Sequence, residues 1–181
     1  MSEGFVIPDA SAEVILDIAK LVANSPSPLS KRDIVRSFEG KYREAYVFNG
    51  IAACAQLNLI QRTEQGYVSS EKFRDMVKRA HREELNLPLR AALQQYPPFL
   101  LFADFVSKGY HTQEAAAMTR GILRIASSLS VVTKSLRLWA TVAQLVKKDE
   151  TTGRLVIPEA EKGLPTQYVK NLVKALEDEL K

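Results

Sequence analysis

Three helix-forming stretches followed by two β-prone runs around a glycine constrain this chain more than any other feature. They occupy about 60 residues, and the same order returns in the second half. The first helix is expected over 11–23: Ser11 can cap it, and Val14, Ile15, Ile18, Leu21 and Val22 recur at helical spacing. Pro26 and Pro28 stop it, because proline lacks the N–H donor and restricts the residue before it. A second helix begins after Ser30, with Asp33 placed for a capping box and Ile34, Val35 and Phe38 inward; Gly40 ends it. A third covers 43–57 with Val47, Ile51, Cys54 and Leu57 inward. The runs 59–63 and 67–69 flank Glu64, Gln65 and Gly66, which reads as a hairpin.

In the second half, 89–95, 99–107, 112–125 and a long stretch from Ser127 or Ser128 to Val146 read as helices. Tyr96-Pro97-Pro98 breaks the first from the second, Gly109 ends the second, and Thr112 can cap the third. The long helix turns Leu129, Val132, Leu136, Trp139 or Ala140, and Ala143 inward, which makes Trp139 a core residue rather than a stacking platform. Residues 147–157 form a second hairpin-like segment with Gly153 in its turn. The segment Ala55-Gln-Leu-Asn-Leu-Ile60 echoes Val142-Ala-Gln-Leu-Val146, each just before a hairpin. A charged helix over 70–84 joins the halves, and a last helix after Pro165 has a stripe of Tyr168, Val169, Leu172, Val173, Leu176 and Leu180. The expected division is 1–83, 84–160 and a C-terminal amphipathic helix over 161–181, whose stripe could serve a homodimer or a protein partner.

Hydrophobic residues make up 46% of the chain, enough for a packed core. Cys54 is the only cysteine, sits among small apolar residues and reads as structural; with His81 and His111 it forms no zinc spacing. No glycine-rich phosphate loop, G-x-S-x-G or H-E-x-x-H occurs. Glu83 and Glu84 are adjacent, so on a helix their carboxylates point about 100° apart. Neither an enzyme nor a bound cofactor is expected. No apolar run approaches the ~18 residues of a membrane span, and Met1–Asp17 carries four acids and no cation, unlike a signal peptide. A cytoplasmic protein with no membrane partner is expected.

Net charge is +4, and the positive charge is local: Lys31, Arg32, Arg36, Lys41 and Arg43 face only Asp33 and Glu39 in the same stretch. The segment from Ala52 to Val68, with its Leu57-x-Leu59-Ile60 exit and its Gly66-Tyr67 pair, resembles a recognition helix of the winged helix-turn-helix superfamily running into its wing. The resemblance implies a mainly α fold with small β-hairpin wings, two winged helix-turn-helix units in tandem, and a third helix entering the major groove of double-stranded DNA. It would place Lys41, Tyr42, Arg43, Tyr46 and Asn49 toward bases, Lys31, Arg32 and Arg36 toward phosphates, and Arg62 toward the neighbouring backbone. In the second unit Ser130, Lys134, Arg137 and Thr141 share one polar stripe, and Lys147, Lys148 and Arg154 mark the second wing. The expected role is a transcriptional regulator or a DNA-recognition subunit. The alternative is an accessory subunit that binds protein, with the apolar stretch 99–106 as a further docking candidate.

Overall fold

The computed structural model describes residues 5–79, 86–158, 167, 169–171 and 174. These residues are mainly helical with two antiparallel hairpins, as the sequence patterning leads one to expect. They divide into two compact units: Pro8–Ala92, and a second that runs from Leu93 and takes in the leading residues 5–7. No described helix is long and apolar enough to cross a membrane.

In the N-terminal unit, α1 (Ala12–Asn24) is capped by Ser11, whose Oγ accepts from the Val14 N–H. Helix α2 (Lys31–Ser37) opens on a reciprocal cap: the Asp33 N–H donates to Ser30 Oγ, and the Ser30 N–H donates to Asp33 Oδ2, each at 3.1 Å. Helix α3 (Glu44–Gln56) leads into β1 (Ile60–Thr63) and β2 (Gly66–Ser69), paired from Ile60↔Ser69 to Thr63↔Gly66. One pairing was not visible in the sequence. Leu29, between α1 and α2, exchanges both backbone hydrogen bonds with Tyr67, at 3.0 and 2.8 Å. This single-residue bridge locks the hairpin to the entrance of α2. Helix α4 (Glu71–Arg79) packs on α1 and buries Phe73, and α5 spans Asn86–Leu93.

The core is built from the expected stripes: Val14, Ile15, Ile18 and Val22 of α1, Ile34 of α2, and Val47, Ile51 and Cys54 of α3. Gly50 sets the closeness of α1 and α3, since a Cβ there would lie 2.5 Å from Val14 Cγ1 and 2.6 Å from Ile18 Cδ1. Cys54 is fully buried and its thiol donates to the Ile15 carbonyl at 3.2 Å; burial pushes its pKa well above the ordinary thiol value.

The C-terminal unit has the same order of elements: α6 (Pro97–Ser107), α7 (Thr112–Ile122), α8 (Leu129–Val142), then β3 (Lys147–Lys148) paired with β4 (Leu155–Val156). Three local expectations are corrected. Pro97 and Pro98 open α6 rather than only breaking its predecessor, because first-turn N–H groups have no intrahelical partner to lose. The N-cap of α7 is His111, not Thr112: Glu114 Oε2 accepts the His111 N–H at 3.0 Å. The apolar stretch 99–106 is not a free docking surface but the core helix, with every residue from Pro98 to Val106 buried. Its one acid, Asp104, lies 2.6 Å from Lys108 Nζ. Trp139 is buried, as its place on the inner stripe requires. The leading residues join this unit through Phe5, whose N–H donates to the Leu123 carbonyl at 3.3 Å, and through the Tyr96 hydroxyl, which donates to the Val6 carbonyl.

The echo between the halves has a structural cause. Both third helices end on a non-glycine residue in the left-handed region, Asn58 (φ 56°) and Gln144 (φ 58°). The next residue then returns its N–H to the helix at 2.9 Å, Leu59 to the Cys54 carbonyl and Leu145 to the Ala140 carbonyl, and both leucines are fully buried. Asn tolerates this conformation better than Gln, whose longer side chain cannot bond back to its own backbone. Gln144→Gly should therefore stabilise the protein by about 0.5–1 kcal/mol in urea unfolding. Asn58→Gly should change it by less; a destabilised Gln144→Gly would contradict the left-handed cap. The expected charged helix is described as far as Arg79, and its end at Glu84 falls outside the described residues, as does most of the apolar stripe after Pro165.

Candidate nucleic-acid interface

The short helix α2 buries Ile34 and leaves Lys31, Arg32 and Arg36 exposed. Lys31 Nζ sits 4.3 Å above the ring of Phe48, which ties the start of α2 to the flank of α3. Arg43 is the exposed N-cap residue of α3, and Arg62 is exposed on β1 opposite Tyr67. A depression of about 350 Å³ lies between the α2 entrance and the hairpin, lined by Ser30, Lys31, Arg62 and the turn residues Thr63 to Tyr67. Among the described residues, none of Lys31, Arg32, Arg36, Arg43 and Arg62 forms an ion pair with an acid. Asp33, the acid on α2, is turned to Ser30, whose hydroxyl and N–H hold its carboxyl below the usual range. Asp33 nevertheless remains an exposed anion within electrostatic reach of Arg36 and Arg32.

Lys41 and Tyr42 are placed differently. Both precede α3 and face back to α1, where Asp17 accepts from the Lys41 amine and, at 2.7 Å, from the Tyr42 hydroxyl. Glu13 lies 4.0 Å from the Lys41 amine. The bond to Asp17 raises the Lys41 pKa, while burial, and then Asp17, push the Tyr42 hydroxyl up to about 12. These two side chains brace the α2–α3 loop and stand apart from the cationic cluster.

The outward face of α3 is small and neutral. Ala45, Asn49 and Ala52 are exposed and Gln56 is half-buried, at i, i+4, i+7 and i+11 along one stripe. Tyr46 flanks the stripe and is 56% exposed. Asn49 and Tyr46 were candidates from the sequence; Ala45 and Ala52 were not, because an exposed alanine has no chemical signature.

In the second unit Ser130, Lys134, Arg137 and Thr141 are exposed along α8, with Lys147 and Lys148 exposed on β3 and Arg154 exposed in the turn before β4. That turn is held by Asp149, whose Oδ1 accepts from the Thr152 N–H at 2.7 Å and from its hydroxyl at 2.8 Å, an arrangement that lowers the Asp149 pKa. Beside the polar stripe, Val131 is 53% and Leu138 55% exposed. Counting back from the left-handed residue that ends each helix, Val131, Ser135, Leu138 and Val142 hold the positions of Ala45, Asn49, Ala52 and Gln56. The same stripe is small and amide-bearing in one unit and aliphatic in the other. No protein-family model matches the sequence, and no curated protein or solved structure matches it.

Proposed function

We propose that the N-terminal unit is a winged helix that binds duplex DNA, with α3 in the major groove and α2 and the hairpin reaching phosphates on either side. The order of elements supports this reading, and so does the Leu29–Tyr67 bridge, which holds the hairpin against the entrance of α2. The observation that carries it is the cluster of Lys31, Arg32, Arg36, Arg43 and Arg62 on α2, α3 and β1, exposed and without an acidic partner among the described residues. Phosphate contacts come from such cations, and base contacts from the helix lying between them.

A second reading applies to the other unit. Val131 and Leu138 on the outward face of α8 favour an apolar partner surface there over a DNA groove. The chain then acts as a regulator or DNA-recognition subunit whose first unit binds DNA and whose second unit engages protein. The test is anisotropy of labelled genomic duplexes titrated with the full-length chain at low salt. Saturable binding is expected; absence of binding to every fragment would overturn the proposal.

A further inference from the structure

Resting on the DNA reading just proposed, we infer that α3 reads A·T base pairs, with Asn49 as the specificity-determining residue and Ala45 and Ala52 as contacts to thymine methyl groups. The argument comes from what the outward stripe of α3 offers and what it lacks. Direct readout of guanine relies on a lysine or arginine that donates to O6 and N7, and readout of cytosine on a carboxylate that accepts from N4. From Glu44 to Gln56, α3 contains no lysine or arginine, and its single carboxylate is in the first residue, off the stripe. The cations of this unit flank the helix, on α2, at the α3 N-cap and on β1, where they are placed for phosphates.

What the stripe exposes is an amide between two methyl groups, its fourth residue, Gln56, being half-buried with its amide oxygen turned inward. An asparagine amide matches adenine, donating to N7 and accepting from the N6 amino group, a bidentate pair that no other base edge reproduces in the major groove. Ala45 and Ala52, four residues before and three after Asn49, are exposed on the same stripe. Their short side chains let the helix backbone approach the groove floor and bring methyl carbons to the height of the thymine 5-methyl group. Three neighbouring A·T pairs, the adenine of the central one under Asn49 and the thymine methyls of its neighbours under Ala45 and Ala52, satisfy all three residues.

The experiment is selection of duplexes by the full-length protein from a random pool, followed by affinity measurements on the selected site. The inference expects adjacent A·T pairs at its centre. Replacing the contacted adenine with 7-deazaadenine, which lacks the N7 acceptor, should weaken binding about tenfold. Replacing thymine with uracil should weaken it by a smaller factor. Asn49→Ala should remove the preference for the adenine and weaken binding to the selected site about tenfold, with helicity checked by circular dichroism. Selected sites centred on G·C pairs, or duplex binding with no base preference, would overturn the inference and leave the DNA reading standing. No binding to any duplex would overturn both.

Discussion

Changing Arg32, Arg36 and Arg43 together to alanine is expected to weaken duplex binding by two to three orders of magnitude at ~0.1 M salt. Each phosphate neutralised by a cation releases a counterion and contributes roughly 0.9 to the slope of log K against log salt, close to a factor of ten at ~0.1 M. The three arginines are exposed and make no ion pair with an acid among the described residues, so their removal should cost little stability. The slope of the triple variant should be shallower by about 2.7. Lys41→Ala supplies the contrast. Lys41 lies in the same basic stretch of sequence, but its amine is held by Asp17, and its loss should change affinity by less than about twofold because no phosphate contact is removed. Equal effects of the two changes, or an unchanged affinity in the triple variant, would show that the cluster is only a solvated face.

The second large effect is expected at Gly66. Its φ is +138°, a conformation closed to L side chains, and a Cβ there would lie 2.6 Å from the Leu29 carbonyl oxygen and 2.8 Å from its carbon. Those are backbone atoms held by the double exchange with Tyr67, and the next residue, Ser30, is the N-cap of α2. Neither side can yield without breaking the bridge or unseating the cap. Gly66→Ala should lower unfolding free energy by about 2–4 kcal/mol. Gly40→Ala is the control: its φ is +80°, but nothing lies within 4 Å of the added carbon, so only the conformational strain of about 1–2 kcal/mol is expected. Urea unfolding of the two variants separates them. A Gly66→Ala protein as stable as the parent would contradict the bridge that joins the hairpin to α2.

The contrast between these glycines marks how far the sequence could be read. The helices and hairpins were legible because their signals are local: the inward stripe of Val47, Ile51 and Cys54, the Ser30–Asp33 cap, and Gly66 in its turn. The Leu29–Tyr67 bridge was not, since one residue carries no alternation. Nor was the fate of Lys41, whose partner is 24 residues away in the chain and becomes a neighbour only when α1 packs on α3. The cationic cluster was legible as a run of charge, whereas the exposed alanines became visible only when the structure placed them beside Asn49 on the exposed side of α3. The apolar stretch 99–106 misled because high hydrophobicity fits a docking surface and a core helix equally until burial is known.

The measurement that bears most directly on DNA binding by the N-terminal unit is the salt dependence of the full-length protein on duplex DNA. Five exposed cations with no ion-paired acid among the described residues, Lys31, Arg32, Arg36, Arg43 and Arg62, predict a slope of log K against log salt of about −4 to −5. A slope near zero, or no detectable duplex binding at low salt, would contradict the account.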